Sequence, residues 1–182
     1  MKPNQRRYFI ALIPPDPLQS ETQRIKESFY QVYASKGALR SPAHITLHMP
    51  FLWRDDKEER LFNLLVHATK ETEFTLTLNG FGCFPPRSIF INAEKSQELI
   101  DFQKRLTNYT KRAMNLFNST HNKGFHPHMT VAFRDLKKDK FAAAWEEFQS
   151  KNFRAEFLVN SFWLLKHDGK VWVPYREFQF EV

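Results

Sequence analysis

Two short segments of the chain share one alternation. Ala43-His44-Ile45-Thr46-Leu47 and Pro127-His128-Met129-Thr130-Val131 each read His, apolar, Thr, apolar. Successive side chains of a β-strand point to opposite faces. Ile45, Leu47, Met129 and Val131 are therefore expected to anchor in a core, with His44, Thr46, His128 and Thr130 sharing the other face. Around these segments the hydrophobic pattern repeats. Arg6 to Ile13 is a β-prone apolar run closed by Pro14-Pro15 and predicts a buried strand. Asp16 or Pro17 opens a helix with Leu18, Ile25, Phe29 and Val32 on one face to about Tyr33, and Gly37 ends it. The first His-x-Thr strand spans about Ala43 to Met49 and stops at Pro50-Phe51. Asp55-Asp56 cap a second helix with Leu61, Leu64, Leu65 and Ala68 inward, and Phe74 to Leu78 alternates as a strand.

The same order then recurs. Arg87 to Ala93 predicts a strand, and about Lys95 to Phe117 a helix with Leu99, Phe102, Leu106, Tyr109, Ala113 and Leu116 at intervals of three and four. The second His-x-Thr strand follows. Leu136 to Ser150 predicts a helix with Phe141, Trp145 and Phe148 inward, and Phe157 to Val159 a strand. Leu78-Asn79-Gly80-Phe81 is echoed by Val159-Asn160-Ser161-Phe162. Strand–helix–strand–helix–strand thus occurs twice at an offset of about 80 to 84 residues, which suggests a duplicated unit and not a solenoid. Two lobes about a pseudo-twofold axis would bring the two motifs together. Phe162 to Lys166 and Val171 to Tyr175, joined through His167-Asp168-Gly169-Lys170, predict a closing hairpin. No linker or low-complexity tract divides residues 1–182, so one domain of two pseudo-symmetric lobes is expected.

Composition narrows the class. The 182 residues are 42% hydrophobic with 19 Phe, which suits a globular core and excludes a disordered chain. A formal charge of +7 favours anionic partners such as nucleotides or nucleic acid, although the basic residues are scattered. Cys83 is the sole cysteine, so no internal disulfide forms; it is expected as a small buried apolar residue. The basic start, Met1 to Arg7, precedes an apolar run too short for a signal peptide, and no apolar segment is of membrane-spanning length. A monomer in a reducing cytoplasm is expected.

Two imidazoles with ordinary pKa near 6.5 can be held one neutral and one protonated near neutral pH, as displacement at phosphorus requires. The neutral ring takes a proton from the attacking oxygen, the protonated ring supplies one to the departing oxygen, and threonine hydroxyls hydrogen-bond the non-bridging phosphate oxygens. This chemistry calls for no cofactor. His44 and His48 lie four apart on a strand, about 13 Å by the usual rise, too far to share an ion. No carboxylate or cysteine adjoins His126-Pro127-His128. His48 is read as a cleft-lining or solvated residue, and His126 as a positioning or structural group. Arg87, Arg134, Tyr175 and Arg176 are candidates to line the cleft and grip phosphate or a base.

On His44-Ile45-Thr46-Leu47, Phe125-His126-Pro127-His128-Met129-Thr130-Val131 and the opening Arg7-Tyr8-Phe9-Ile10-Ala11-Leu12, the chain resembles the 2H phosphoesterase superfamily. The branch it is similar to contains 2′-5′ RNA ligases and RNA 2′,3′-cyclic phosphodiesterases. The resemblance implies an α+β fold of two lobes, with antiparallel sheets lining a central cleft and helices outside. It also implies metal-independent opening of a 2′,3′-cyclic phosphate to a 2′-phosphomonoester, or reversible joining of RNA ends through a 2′-5′ linkage. His44 and His128 become the acid–base pair, with His128 as base and His44 as acid, and Thr46 and Thr130 the phosphate ligands. Two features depart from the family pattern. The arginine that relatives place after the second motif is displaced by one residue, to Arg134. The first motif runs on as His48-Met49-Pro50-Phe51, as in a less characterised subgroup. Two other readings stay open: a non-catalytic module that holds RNA ends, and a phosphodiesterase for a non-RNA cyclic phosphate such as an ADP-ribose derivative.

Overall fold

Strand pairing gathers both motifs into one antiparallel sheet. The computed structural model describes residues 4–119 and 124–181, so Met1–Pro3 of the basic start lie outside the described residues. The strands are β1 (Gln5–Leu12), β2 (Ile45–Arg54), β3 (Phe74–Phe84), β4 (Ser88–Ala93), β5 (His128–Ala132), β6 (Arg154–Val159), β7 (Ser161–His167) and β8 (Trp172–Gln179). The helices are α1 (Leu18–Tyr33), α2 (Glu58–Val66), α3 (Gln97–Met114) and α4 (Lys138–Phe148). In the sheet the order is β6-β3-β4-β5-β2-β1-β7-β8.

The duplication is written into the register. β3 serves two neighbours: Phe74–Asn79 pairs with β6, and Leu78–Phe84 pairs with β4. Asn160 alone separates β6 from β7, and these two strands divide the same double role, β6 against β3 and β7 against β1. The sheet therefore curls, with its bends at Gly80 (φ +64°) and at Asn160, which lie within the two echoed tetrapeptides of the sequence. Residues made equivalent by the repeat pair with each other at two places, Ile45 with Met129 and Leu76 with Phe157, which mark the pseudo-twofold axis.

Each long helix crosses to the other repeat. α1 lies against β5, where Thr22 Oγ1 donates to Met129 Sδ at 3.4 Å; α3 lies against β2, where Gln103 Nε2 donates to Leu47 O at 3.2 Å. Beneath the helices the core takes Tyr8, Ile10, Leu12, Ile45, Ile89, Ile91, Met129 and Val131. Phe9, Ala11 and Leu165, with Ile13, Trp163 and Trp172, form a second cluster on the other face. Both faces of β1 from Tyr8 onward are thus covered, which is why Tyr8–Leu12 is an unbroken apolar run.

Several boundaries differ from the sequence expectation. α1 begins where Asp16 accepts from Ser20 N at 3.0 Å, as expected, but it ends at Tyr33 with Ala34 in the left-handed region (φ 57°). Gly37 instead opens a 3-10 turn, Gly37–Arg40, where an added Cβ would lie 2.3 Å from Phe133 O; its role is close approach of the β5 exit. The buried stripe of α1 runs through Leu18, Thr22, Lys26, Phe29 and Tyr33, while Val32 is 60% exposed. β2 does not stop at Pro50. It continues to Arg54 because four residues, His48 to Phe51, oppose three on β1, Tyr8 to Ile10; Pro50 sits in this bulge, where no ladder hydrogen bond is demanded of it. Cys83 is half-buried on β3.

Candidate active site

Both motifs carry the same local device. On β2, Ala11 faces Thr46 while Ile10 faces His48; on β5, Phe90 faces Thr130 while Ile89 faces Ala132. Leu47 and Val131 are thus the extra residues of two matching bulges, which turn the residue after each, His48 and Ala132, into the helix-side core. His48 is accordingly 1% exposed, with its Nδ1 2.8 Å from Met49 O and its ring against Phe51, and the expectation that it lines the cleft or is solvated is corrected. Main-chain groups freed by the irregular run are met by side chains: Gln103 on Leu47 O, and Asn118 Oδ1 accepting from Met49 N at 2.8 Å.

The Ile45–Met129 pairing fixes how the motifs interleave. One step to either side sets Thr46 across from His128 and His44 across from Thr130. Opposite residues of an antiparallel pair have Cβ atoms about 4.5–5.5 Å apart and diagonal ones about 7–8 Å, so the two histidines are diagonal neighbours on one face. All four side chains are partly exposed there. Among the described residues, neither threonine hydroxyl has a protein hydrogen-bond partner.

The histidines are oriented alike. His44 Nδ1 lies 2.8 Å from Pro42 O, and His128 Nδ1 lies 2.6 Å from His126 O. A carbonyl oxygen only accepts, so in both rings Nδ1–H donates and Nε2 keeps its lone pair for substrate. A phenylalanine of the adjacent strand backs each ring, Phe9 at 4.9 Å from His44 and Phe90 at 4.7 Å from His128. Phe90 can lie so because position 82 is glycine; a Cβ there would come within 2.5 Å of the Phe90 ring. The loop carrying Pro42 is itself held from α1. Gln19 Nε2 donates to Ala43 O at 2.6 Å, Ala43 N donates to Gln19 Oε1 at 3.0 Å, and Lys26 Nζ donates to Ser41 O at 3.0 Å.

This setting disfavours the charged imidazoles. Burial pushes the His44 pKa down to about 4, with the Lys26 ammonium and His128 adding to the depression and the Pro42 carbonyl opposing it. Burial also lowers His128, against the opposing pull of the His126 carbonyl. Lys26, 1% exposed, is lowered to about 8 by burial.

Of the remaining candidates, Arg87 is exposed at the β3–β4 turn, three residues past Phe84, whose ring lies 5.3 Å from that of His128; this puts Arg87 on the rim. Arg134 leaves β5 at φ +64° with its guanidinium over the Phe133 ring at 4.9 Å, and it is not brought against either histidine. Tyr175 is corrected outright. Its hydroxyl donates to Glu58 Oε2 at 2.8 Å and its ring adjoins Tyr8 and Phe62, which places it on the helix side of the sheet. Arg176 lies there too, over Phe62 at 4.3 Å. The cause is a bulge in β8, where Leu164 faces Arg176 but Leu165 faces Pro174, so Tyr175 is the additional residue that breaks the alternation. His126 contributes chiefly through its carbonyl. The flanking Phe9 and Phe90, and the Gln19 and Lys26 supports, had no separate signal in the sequence.

The arrangement presents two Nε2 atoms and two free hydroxyls to one space, which suits proton transfer on both sides of a phosphate. Among the described residues, no three His, Cys, Asp or Glu side chains cluster as a metal cage. No described helix is long and apolar enough to cross a membrane.

Known proteins share the family and the fold. The family model described as the 2′-5′ RNA ligase superfamily matches residues 14–171. The fold is similar to that of Escherichia coli LigT complexed with 3′-AMP, with TM-score 0.72 and 22% identity over 98% of this chain and 99% of that one. It is also similar to TT0787 of Thermus thermophilus, with TM-score 0.68 and 20% identity over 96% of this chain and 97% of that one. No curated protein sequence matches the chain.

Proposed function

From the premise that the chain belongs to the 2′-5′ RNA ligase superfamily of 2H phosphoesterases, we propose that it opens 2′,3′-cyclic phosphates, at RNA 3′ ends or on nucleotides, to 2′-phosphomonoesters by two-histidine acid–base catalysis. The observation that carries this reading is the matched pair of histidines, diagonal across β2 and β5, with both Nδ1 atoms tied to main-chain carbonyls and both Nε2 atoms free. LigT has been solved with 3′-AMP, a nucleotide carrying its phosphate on the ribose, and the cleft of this chain is taken to receive a like group.

One Nε2 deprotonates the attacking water, whose oxygen bonds to phosphorus; the other protonates the departing ribose 3′-oxygen as its bond to phosphorus breaks. Thr46 and Thr130 donate to the non-bridging oxygens as charge gathers there. Arg87 on the rim meets the same charge from outside. The deeper depression at His44, sharpened by Lys26, favours its neutral form, so His44 is assigned as base and His128 as acid, the reverse of the assignment drawn from the resemblance. With a 5′-hydroxyl in place of water as the nucleophile, the same ring opening would join the cyclic end through a 2′-5′ linkage, and the reverse of that step would cleave the linkage back to the cyclic phosphate and the free hydroxyl.

The test is the pH dependence of hydrolysis of a 2′,3′-cyclic nucleotide. In the free protein the base works once deprotonated, so kcat/KM should rise as pH passes about 4. The acid must keep its proton, and its pKa is below the ordinary 6.5, so kcat/KM should fall before neutrality. Bound phosphate raises both pKa values, so the kcat profile should lie at higher pH. Lys26→Met should move the low-pH limb, set by His44, upward by removing a neighbouring positive charge. A kcat/KM still climbing between pH 6.5 and pH 8 would refute the scheme.

A further inference from the structure

The face that carries the histidines continues, beyond His44, into a cationic and aromatic shelf. Arg7 and Phe9 are two apart on β1 and share a face. Register places Tyr8 opposite Lys166 and His167 opposite Trp172, so the next step sets Arg7 beside His167, and Arg7, His167 and Trp172 form one row across β1, β7 and β8. The contacts agree. Arg7 lies over the Trp172 ring at 5.6 Å, the Trp172 ring stands edge-on to Phe9 at 4.7 Å and to His167 at 4.9 Å, and Phe9 touches His44 at 4.9 Å. Two ring-to-ring steps therefore lead from His44 to an indole, about the length of one nucleotide.

The charge on this shelf is unanswered. Arg7 is exposed, and among the described residues it is not ion-paired. The acidic neighbour, Asp168, is committed to its own hairpin, accepting from Lys170 N and Val171 N at 2.8 Å. Beyond His128, the other half of the face shows Phe84 and His126, with no tryptophan among these contacts. A free guanidinium beside a tryptophan suits a phosphodiester next to a base: the cation holds the phosphate and the indole stacks on the base.

We infer that Arg7, His167 and Trp172 form a second subsite that takes the phosphodiester and base on the 5′ side of the terminal nucleotide, so that the substrate is an oligonucleotide. This rests on the phosphoesterase reading of the histidine pair. A cyclic mononucleotide reaches the histidines but leaves the shelf empty; a dinucleotide or longer strand fills both.

The experiment compares cytidine 2′,3′-cyclic phosphate with a trinucleotide ending in the same group, across a salt series, for the wild type and for Arg7→Ala, Trp172→Ala and Trp172→Phe. The trinucleotide is expected to have the higher kcat/KM through a lower KM. Arg7→Ala should cut the ratio of the two kcat/KM values about tenfold, as for loss of one charge-assisted hydrogen bond. It should also flatten the salt slope for the trinucleotide by about 0.7, one single-strand phosphate contact. Trp172→Ala should reduce the same ratio, with Trp172→Phe recovering part of it. A wild-type ratio near one, or a ratio and slope unmoved by these changes, would overturn the inference. Should the wild type turn over neither substrate, the phosphoesterase reading fails by itself. The subsite is then judged by fluorescence-anisotropy binding of a trinucleotide with a 3′-phosphate, where Arg7→Ala must weaken affinity and flatten its salt slope or the inference fails too.

Discussion

Replacing either His44 or His128 with alanine is expected to lower kcat for a 2′,3′-cyclic phosphate substrate by roughly 10²- to 10⁴-fold, the contribution of one positioned acid or base. The two losses should be similar in size, because the motifs are built alike: each ring has its Nδ1 on a carbonyl and a phenylalanine behind it. They should not simply add in the double variant, since an acid with no base, or a base with no acid, already leaves one proton transfer unassisted. KM should move far less than kcat, because the threonines and the rim remain. Steady-state kinetics with purified variants of unchanged thermal stability checks this. Loss at one histidine alone, with the other replaceable, would mean that the chemistry is not shared.

The second large effect is on stability and reaches the site through packing. Phe90 is 2% exposed, and its ring meets Phe84 at 4.6 Å, His126 at 5.6 Å and His128 at 4.7 Å, above Gly82. Phe90→Ala is expected to cost about 3–5 kcal/mol, from lost burial and the cavity left behind. For a chain of this length that corresponds to a melting temperature lower by roughly 6–20 °C, read by circular dichroism. Activity should fall below the folding temperature as well, since the cavity beside His128 lets its ring leave the one rotamer that aims Nε2. A melting temperature within about 2 °C of wild type, well under the expected shift, would contradict this account of Phe90.

The elements with a regular period were legible from sequence. α3, with Leu99, Phe102 and Leu106 inward, follows from residue spacing; its start at Ser96, which accepts from Leu99 N at 3.2 Å, is seen only in the structure. The hairpin at Asp168-Gly169, with Gly169 at φ 111°, follows from local turn chemistry. The histidine–threonine alternation was legible because it occurs twice and because period two holds over the three residues that matter. Bulges were not. Each adds a residue to one strand through contacts with a distant neighbour, and so reverses every facing after it. His48 and Tyr175 differ from the expected face for that single reason, and Pro50 does not end β2 as its type suggests. Buried charge was hidden as well. Lys26 occupies the apolar stripe of α1, where a sequence reading expects it in solvent, because Ser41 O receives its ammonium. Phe9 and Phe90 carry no sequence signal because β1 and β4 are covered on both faces, which leaves no polar alternation to tell the cleft side from the helix side.

The claim on which the rest depends is that the imidazoles from the two repeats address one phosphate group. It is tested most directly by following the ring resonances of His44 and His128 by NMR while adenosine 2′-phosphate is added to metal-free protein. The account predicts that both pKa values rise together, along a single saturation curve, as one bound phosphate accepts from both Nε2 sites. A titration in which only one ring responds, or in which the two respond with different affinities, would contradict it.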